Sequence, residues 1–190
     1  MSKEYVTEKT FSKTDFSTVD IKSADYENCF FENCNFYEVD LSAIRFSGCT
    51  FKGCNLSMAK LTKTSFIETR FKECKLMGLH FENCYEFLFS VDFENCNLNL
   101  ASFYRNKLKK TSFKNCMLQE TDFTESDLTA SVFDNSNLER ATFDHSILEK
   151  TDFRSSYNYS IDPEINRIRK AKFSLVSIAG LLEKYDITIE

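Results

Sequence analysis

The sequence has little of what usually marks turns: among 190 residues there are four glycines, one proline and no tryptophan. Because glycine and proline punctuate hairpins and tight loops, their scarcity argues against a fold assembled from many hairpins. No run approaches the roughly 20 apolar residues of a membrane-spanning helix. The first ten residues are polar and charged, unlike a secretory signal. These absences favour a cytosolic protein.

Residues with catalytic or metal-binding chemistry are also sparse. The two histidines, His80 and His145, both fall on positions expected to face solvent. Histidine, serine, cysteine and aspartate do not converge in a catalytic pattern, and there is no glycine-rich phosphate loop. We therefore expect no enzyme activity, no cofactor and no metal. A net charge of −5 is also not typical of a nucleic-acid-binding protein.

Phenylalanine, in contrast, occurs 20 times, and an internal repeat explains the excess. Sixteen consecutive positions spaced five residues apart are apolar, beginning at Val6 and ending at Phe81. The spacing then shifts by two residues, and fourteen more apolar positions follow from Leu88 to Phe153. A period this long and regular predicts a repeat architecture.

A period of five fits neither a helix nor a continuous strand. Five residues advance a helix by about 140°, which scatters the apolar positions around its axis. An odd period also alternates between the two faces of a strand. The chain must therefore turn once per repeat. From Phe93 to Phe153 the central residues alternate between Phe and Leu, which predicts a four-sided, all-β solenoid in which residues 20 apart stack.

A second selective position lies two residues before each centre and is mostly cysteine, serine, threonine, alanine or valine. Some cysteines there have a spacing near that of zinc ligands. Because all eight cysteines occupy the same inward-facing position of the repeat, we instead expect buried free thiols that pack as small apolar groups. Free thiols are consistent with a reducing compartment. The cysteines are Cys29, Cys34, Cys49, Cys54, Cys74, Cys84, Cys96 and Cys116.

The two-residue insertion before Leu88 divides the repeat. We assign residues 1–85 to a first β-helix segment, 86–157 to a second segment of the same solenoid, and 158–190 to a C-terminal cap. The insertion is interpreted either as a bulge between the segments or as a contact loop. Its exposed residues are expected to be Tyr85, Glu86 and Phe87.

Charge is distributed in blocks along the sequence. Residues 41–80 hold seven basic and two acidic side chains, and residues 105–114 hold five basic and none acidic. Residues 115–153 hold nine acidic against two basic, a net charge of −7. Over about two coils this density approaches that of duplex DNA, at about one charge per 1.7 Å. It indicates either a partner-binding surface or a merely solvated one. The candidate acids are Glu120, Asp122, Glu125, Asp127, Asp134, Asp144, Glu149 and Asp152.

The chain beyond Asn158 departs from the repeat. Asp162 and Pro163 are typical of a helix start, so a short helix or irregular turn is expected there, and Lys172 with Phe173 can add a strand. Residues 174–185 are predicted to form an α-helix whose apolar side caps the open solenoid. That side either caps a monomer or also joins two copies in a symmetric dimer. The interface residues are Leu175, Ile178, Leu181, Leu182, Tyr185 and Ile187.

Several repeat units resemble the A(D/N)LXX repeat of the pentapeptide-repeat family: Cys-Asn-Leu at 54–56 and 96–98, Ser-Asp-Leu at 126–128, and Thr-Asp-Phe at 121–123 and 151–153. The resemblance covers residues 6–153. It implies that family's fold, a right-handed quadrilateral parallel β-helix, here with a C-terminal α-helical cap.

The tail narrows the resemblance. Residues 161–168, the predicted helix and the closing Ile187-Thr188-Ile189 are similar to the tail of the topoisomerase-protecting branch, which includes the Qnr fluoroquinolone-resistance proteins, mycobacterial MfpA and the microcin immunity protein. The branch implies a homodimeric DNA mimic that binds DNA gyrase or topoisomerase IV and relieves poisoning by quinolones or peptide toxins. Many Qnr proteins have two longer loops, whereas this chain has only a two-residue insertion.

Two alternatives remain open. A structural or adaptor β-helix with another protein partner is favoured by the basic block at 41–80, because a DNA mimic should be acidic throughout. A nucleic-acid binder that uses the basic blocks is more remote, because no base-reading motif accompanies them. The leading interpretation therefore involves neither direct nucleic-acid binding nor a membrane.

Overall fold

A computed structural model of the chain describes residues 4–188 and shows a β-solenoid in which all strand pairing is parallel. Strands β1, β3, β5 and β7 form one sheet, and a second sheet has the order β11-β10-β9-β8-β6-β4-β2. The strands are β1 Glu4–Thr7, β2 Thr10–Ser12, β3 Ala24–Glu27, β4 Phe30–Glu32, β5 Arg45–Ser47, β6 Thr50–Lys52, β7 Ser65–Ile67, β8 Thr69–Lys72, β9 Val91–Glu94, β10 Ser112–Lys114 and β11 Val132–Asp134.

Residues 20 apart are paired neighbours, as Tyr26 is with Phe46 and Phe31 with Phe51. Four five-residue repeats therefore complete one coil, which confirms the four-sided prediction. We number the faces by their central residues. Face 1 contains Val6, Tyr26, Phe46, Phe66, Phe89, Leu108, Leu128, Leu148 and Ile168; face 2 contains Phe11, Phe31, Phe51, Phe71, Phe93, Phe113, Phe133, Phe153 and Phe173; face 3 contains Phe16, Phe36, Leu56, Leu76, Leu98, Leu118 and Leu138; face 4 contains Ile21, Leu41, Leu61, Phe81, Phe103, Phe123 and Phe143.

The core is a set of stacked columns, of which face 2 is the most regular. Its nine phenylalanines stack from Phe11 to Phe173, with neighbouring ring centroids 4.6–5.5 Å apart. At about 4.8 Å per coil, the column is about 38 Å long. The identical rings stack in register because each coil repeats the backbone of the one before it.

The small inward position provides hydrogen bonds as well as volume. Its hydroxyl or thiol donates to the carbonyl of a central residue in the preceding coil, for example Ser136 Oγ to Phe113 O at 3.0 Å and Cys54 Sγ to Phe31 O at 3.3 Å. The eight cysteines are free and buried. Burial raises the pKa of Cys49 to about 12, so that its thiol remains a protonated donor. Core packing of the cysteines is therefore the interpretation that the structure supports.

The corners use a left-handed backbone conformation at the second residue after most centres. Examples are Lys110 (φ 63°) and Ala130 (φ 60°), and glycine occupies this position at Gly48, Gly53 and Gly78. Most of the corners are thus made by residues other than glycine. A solenoid with sharp corners is therefore compatible with a glycine-poor sequence.

The break has a different register from the predicted one. Leu88, which the sequence pattern counted as a centre, is 58% exposed, whereas Phe89 is buried against Phe81. Tyr85 N donates to Thr64 O and Ser90 N to Phe66 O, so both ends of the segment stay bonded to the coil below. Residues 86–88 are consequently pushed outward as a bulge. The preceding Phe81–Asn83 forms a short 3-10 helix.

Strand pairing extends into the segment assigned to the cap. Ile147 pairs with Arg167 and Asp152 with Lys172, and the ring of Phe173 stacks on Phe153 at 5.4 Å. Where the sequence predicted an additional strand, Lys172 forms a single isolated parallel bridge, and the last strand of the described residues is β11. The segment at Asp162–Pro163 is the irregular turn rather than a helix.

The predicted C-terminal α-helix is wrong, because residues 4–188 contain no α-helix. The segment forms two 3-10 helices, Ile178–Leu181 and Glu183–Tyr185. A short segment with an internal glycine is a weak helix former, and Gly180 O instead accepts a hydrogen bond from Ile161 N at 2.9 Å. The prediction of a dimer that forms through this helix is therefore wrong as well. None of the helices in residues 4–188 has the length and apolar character needed to cross a membrane.

Candidate partner-binding surface

The eight candidate acids lie on three faces rather than in one stripe. Asp122 and Asp144 flank centres of face 4, with Glu120 and Glu125 at the corners that bound this face. The remaining four belong to face 1 (Asp127 and Glu149) and face 2 (Asp134 and Asp152). The structure therefore divides the predicted acidic block around the rod.

Five of these acids form ion pairs with lysine or arginine. The tightest contact is bidentate: Arg105 Nε and Nη2 lie 2.8 and 3.1 Å from the carboxylate of Glu125. The pairs are Glu120–Arg140, Glu125–Arg105, Asp127–Lys109, Glu149–Arg167, and Asp152 with both Arg154 and Lys172. Much of the negative charge of the block is therefore neutralised locally.

The hydrogen bonds in these pairs stabilise the charged form of the acids. Arg105 lowers the pKa of Glu125 from its usual value, mainly through the side-chain hydrogen bond. Arg154 lowers the pKa of Asp152 in the same way, against a smaller opposing effect of burial. Both carboxylates are therefore ionised at neutral pH, but each faces its own cation.

Asp122 and Asp144, on face 4, have no lysine or arginine partner among the described residues. Asp122 Oδ1 accepts a hydrogen bond from Thr124 N at 2.8 Å, and Asp144 Oδ1 lies 2.6 Å from His145 Nδ1. Asparagine makes the same turn contact as Asp122 on face 3, where Asn97 Oδ1 accepts from Asn99 N. The fold thus needs the oxygen of Asp122 but not its charge.

The bulge presents the three predicted contact-loop residues to solvent. Tyr85, Glu86 and Phe87 are exposed, together with Leu88. Glu86 forms an ion pair with Lys107 of the next coil. The bulge is therefore an apolar projection on an otherwise polar corner between faces 4 and 1.

The predicted dimer residues do not share one apolar side. Leu175 is 91% exposed and follows Phe173 on the terminal coil, whereas Leu181 packs partly against the core. Ile178 and Leu182 are half-buried, and Tyr185 Oη donates to Glu164 Oε1 at 2.7 Å. Ile187 is exposed, and Ile189 lies outside the described residues.

Face 3 has a surface that the charge blocks did not reveal. The ten outward positions that flank its centres from Phe36 to Leu118 include one charged residue, Lys75. We call this the uncharged surface, together with the corner residues Met58, Gly78 and Leu100. Its flanking residues are Asn35, Tyr37, Asn55, Ser57, Lys75, Met77, Asn97, Asn99, Met117 and Gln119. Writing the sequence in rows of one coil would have exposed this pattern.

The described part of the molecule has a filled interior and no candidate metal site. No three or more histidine, cysteine or acidic side chains within residues 4–188 are arranged to hold a metal ion. The interior is filled by stacked phenylalanine and leucine side chains. These features define a class: a filled β-solenoid of five-residue repeats whose outer faces are its available surfaces.

The family model described as a pentapeptide repeat region matches residues 24–85 and 87–158. The chain therefore belongs to the pentapeptide-repeat family. The two matched segments meet at the bulge. None of the curated protein sequences compared with this chain matches it.

Two solved structures illustrate the likeness. HetL is a pentapeptide repeat protein involved in heterocyst differentiation regulation, from the cyanobacterium Nostoc sp. strain PCC 7120. It is 14% identical over 90% of this chain and 87% of HetL, with a TM-score of 0.56. QnrB1, a plasmid-mediated fluoroquinolone resistance protein, is 21% identical over 96% of this chain and all of QnrB1, with a TM-score of 0.48. At 14% identity the likeness to HetL concerns the fold alone.

Proposed function

We propose that this chain is a DNA mimic that binds DNA gyrase or topoisomerase IV and protects it from quinolones or peptide toxins. The sequence similarity of residues 161–168 and of the closing Ile187-Thr188-Ile189 to the topoisomerase-protecting branch motivates the proposal. The observation that carries it is the presence of Asp122 and Asp144, without lysine or arginine partners in residues 4–188, on one face of a rod about 38 Å long.

The proposed mechanism is occupancy without catalysis. The carboxylates of face 4 act as phosphate surrogates against the basic surface on which the topoisomerase holds DNA. Charge complementarity of this kind steers association, and added salt weakens it by screening exposed charges. The bulge with Tyr85, Glu86 and Phe87 supplies an apolar contact beside this face.

The test is supercoiling of relaxed plasmid by gyrase, titrated with this protein in the presence and absence of a fluoroquinolone. We expect supercoiling to recover as the protein is added to the poisoned enzyme. If the protein inhibits supercoiling without restoring it in the presence of the drug, the result would be consistent with DNA mimicry but would contradict protection. Failure to affect any gyrase or topoisomerase IV tested would contradict the proposal altogether.

Two variants test whether the proposed binding depends on the charges of face 4 rather than on those of the other faces. Asp122→Asn with Asp144→Asn removes two charges while leaving an oxygen for the turn at Thr124. The matched control, Asp127→Asn with Asp152→Asn, removes two charges from faces 1 and 2. We expect the first variant to need roughly tenfold more protein for the same effect and the control to need less than about threefold more. Equal losses would contradict the assignment to face 4.

An adaptor β-helix without a topoisomerase partner is the second candidate function. The observation that favours it is the neutralisation of five of the eight acids by neighbouring lysines and arginines. An adaptor binds through shape and uncharged contacts, so the four charge-removing substitutions should leave its binding unchanged. A salt-independent interaction with the partner would favour this function.

A further inference from the structure

We propose that the C-terminal half of face 1, with the corner it shares with face 2, binds the phosphate backbone of duplex DNA without reading its sequence. The inference goes beyond the proposed function, since it concerns a different surface from the acids of face 4 and a direct contact with nucleic acid.

The outward side of face 1 carries three columns of residues, with one member of each column in every coil. Lys107, Asp127, Ile147 and Arg167 form the first column, Lys109, Thr129, Glu149 and Arg169 the second, and Lys110, Ala130, Lys150 and Lys170 the third. We call these twelve residues the basic surface, because seven are cations and two are acids. The cations come from three separate stretches of the sequence, so only the coiling of the chain brings them onto one face.

The acids of the basic surface neutralise only part of its charge. Asp127 Oδ2 lies 3.1 Å from Lys109 Nζ, and Glu149 Oε1 accepts from Arg167 Nη2 at 2.6 Å. Lys107 forms an ion pair with Glu86 of the bulge. The other four cations are exposed and have no ion-pair partner within residues 4–188; they are Lys110, Lys150, Arg169 and Lys170.

The stacking of Lys150 next to Lys170 departs from the charge pattern of the rod. Ion pairs on the other faces join opposite charges one coil apart, as Glu94 does with Lys114 and Glu125 with Arg105. Like charges on neighbouring strands destabilise a sheet. Lys150, Lys170 and Arg169 also line one depression of the surface. An uncompensated local repulsion of this kind is expected at functional sites, and an anion is the partner that would relieve it.

The composition of the basic surface selects duplex DNA as this partner. Protein–protein interfaces are poor in lysine and rich in aromatic residues, whereas protein–DNA interfaces are much more positively charged. The basic surface contains five lysines, two arginines and no aromatic residue. Binding of a single strand relies on aromatic side chains that stack with its bases. The surface therefore fits a duplex, whose backbone carries about one charge per 1.7 Å.

The dimensions of the surface fit a contact with the backbone. The column from Lys107 to Arg167 spans three coil steps, or about 14 Å, over which a duplex carries about eight phosphate charges. Electrostatic binding of this kind does not need the area of a specific interface. The net charge of −5 does not prevent it, because charges are screened over about 10 Å at about 0.1 M salt. The duplex therefore responds mainly to the face on which it lies.

The experiment is fluorescence anisotropy of a dye-labelled duplex of about 20 base pairs, titrated with the full chain at salt concentrations from about 50 to 200 mM. The test variant is Lys150→Asn with Lys170→Asn, since asparagine already adopts the left-handed corner at Asn135. The control, Lys63→Asn with Lys75→Asn, removes two exposed lysines that have no ion-pair partner within the described residues and lie outside the basic surface. Both variants therefore have the same net charge.

We expect the wild type to bind the duplex with a dissociation constant on the order of 10 μM at about 50 mM salt. Each phosphate contact contributes about 0.9 to the slope of log affinity against log salt concentration. The test variant should therefore bind roughly fivefold more weakly or worse, with a slope smaller by about 2. The control should retain the affinity and the slope of the wild type. Circular dichroism checks that both variants keep the fold.

Three results would overturn the proposal: no binding by the wild type below about 300 μM, equal losses in the two variants, or tighter binding of a single strand of the same sequence. Vesicles of phosphatidylcholine with phosphatidylserine, and poly-glutamate, are the competing anions. If either competes with the duplex at an equal concentration of charge, the surface is not one for DNA. Gyrase is absent from every arm, so this proposal stands or fails independently of the topoisomerase proposal.

Discussion

Ala130 lies at a left-handed corner with φ 60°, in a column with Lys110 and Lys150, which have φ 63° and 60°. For an L-amino acid this conformation costs about 1–2 kcal/mol relative to the right-handed helical region. The repeat tolerates the cost because each corner N–H is bonded to the next coil, as Ala130 N is to Glu149 O at 2.8 Å. Strain at the residue scale is thus offset by bonding between coils.

Because of this balance, we expect a substitution to glycine to stabilise the fold at a left-handed corner and to destabilise it at a buried position. Ala130→Gly relieves the corner at the cost of about 0.5–1 kcal/mol of unfolded-chain entropy, so we expect a net stabilisation of about 0.5 kcal/mol. Ala101→Gly removes a buried methyl group and is expected to destabilise by about 1 kcal/mol. Urea unfolding of both variants measures the difference. Destabilisation by Ala130→Gly would show that the corner is not strained.

At the scale of an element, the bulge shows how the solenoid absorbs an insertion. The backbone bonds of Tyr85 and Ser90 keep the coil spacing on either side, and Phe89 supplies the inward side chain of face 1. The extra residues are accommodated outside, because a gap in a stack of close-packed rings costs more than an exposed loop.

Substitutions at adjacent residues distinguish this register from the one expected from the repeat. Leu88→Ser is expected to change the free energy of unfolding by no more than about 0.5 kcal/mol, because the side chain is exposed. Phe89→Ser is expected to cost about 3 kcal/mol or more, because it leaves a cavity beside Phe81. Denaturant titrations report both values. A larger destabilisation by Leu88→Ser than by Phe89→Ser would indicate that Leu88 is the inward residue.

Charge is a property of the whole molecule in a solenoid. Residues that touch are one coil apart, so the cation opposite Glu125 is Arg105, 20 residues away in sequence. The segment 115–153 has a net charge of −7 by itself, but its cations Arg105, Lys109, Arg167 and Lys172 lie outside it. A charge block in sequence is therefore not a charge block on the surface.

The paired carboxylates give the stability of the molecule a defined pH dependence. The pKa of Glu94, Glu125 and Asp152 is lowered in the fold, first through hydrogen bonds from Lys114, Arg105 and Arg154 respectively. A lowered folded pKa means that their contribution is present above the unfolded value, about 4, and is lost as the pH falls through the folded value. We expect the Tm to change little between about pH 5 and 7 and to fall below about pH 4.

Thermal unfolding followed by circular dichroism from neutral to acidic pH measures this dependence. The variant Asp152→Asn serves as its control, since it lacks one of the titrating pairs and should show a shallower fall. A Tm that rises on acidification would mean that repulsion among the acids, rather than their pairing, dominates.

The five-residue period of the sequence by itself determined the architecture. A period that fits neither helix nor strand leaves a chain that turns once per repeat, and the alternation of Phe and Leu specified four sides. Columns such as Phe93, Phe113, Phe133 and Phe153 follow because each coil repeats the same backbone. The inward phase likewise identified the cysteines as core residues.

The inward register at the break, the conformation of the tail and the net charge of each face were decided only in the tertiary structure. Leu88 and Phe89 are equally apolar, and the bonds of the flanking backbone to the coil below select between them. Residues 174–185 have a helical apolar pattern, but the contact of Gly180 with Ile161 competes with the helix. Whether an acid forms an ion pair depends on which residue lies beside it in the adjacent coil. A count of charges along the sequence does not include that neighbour.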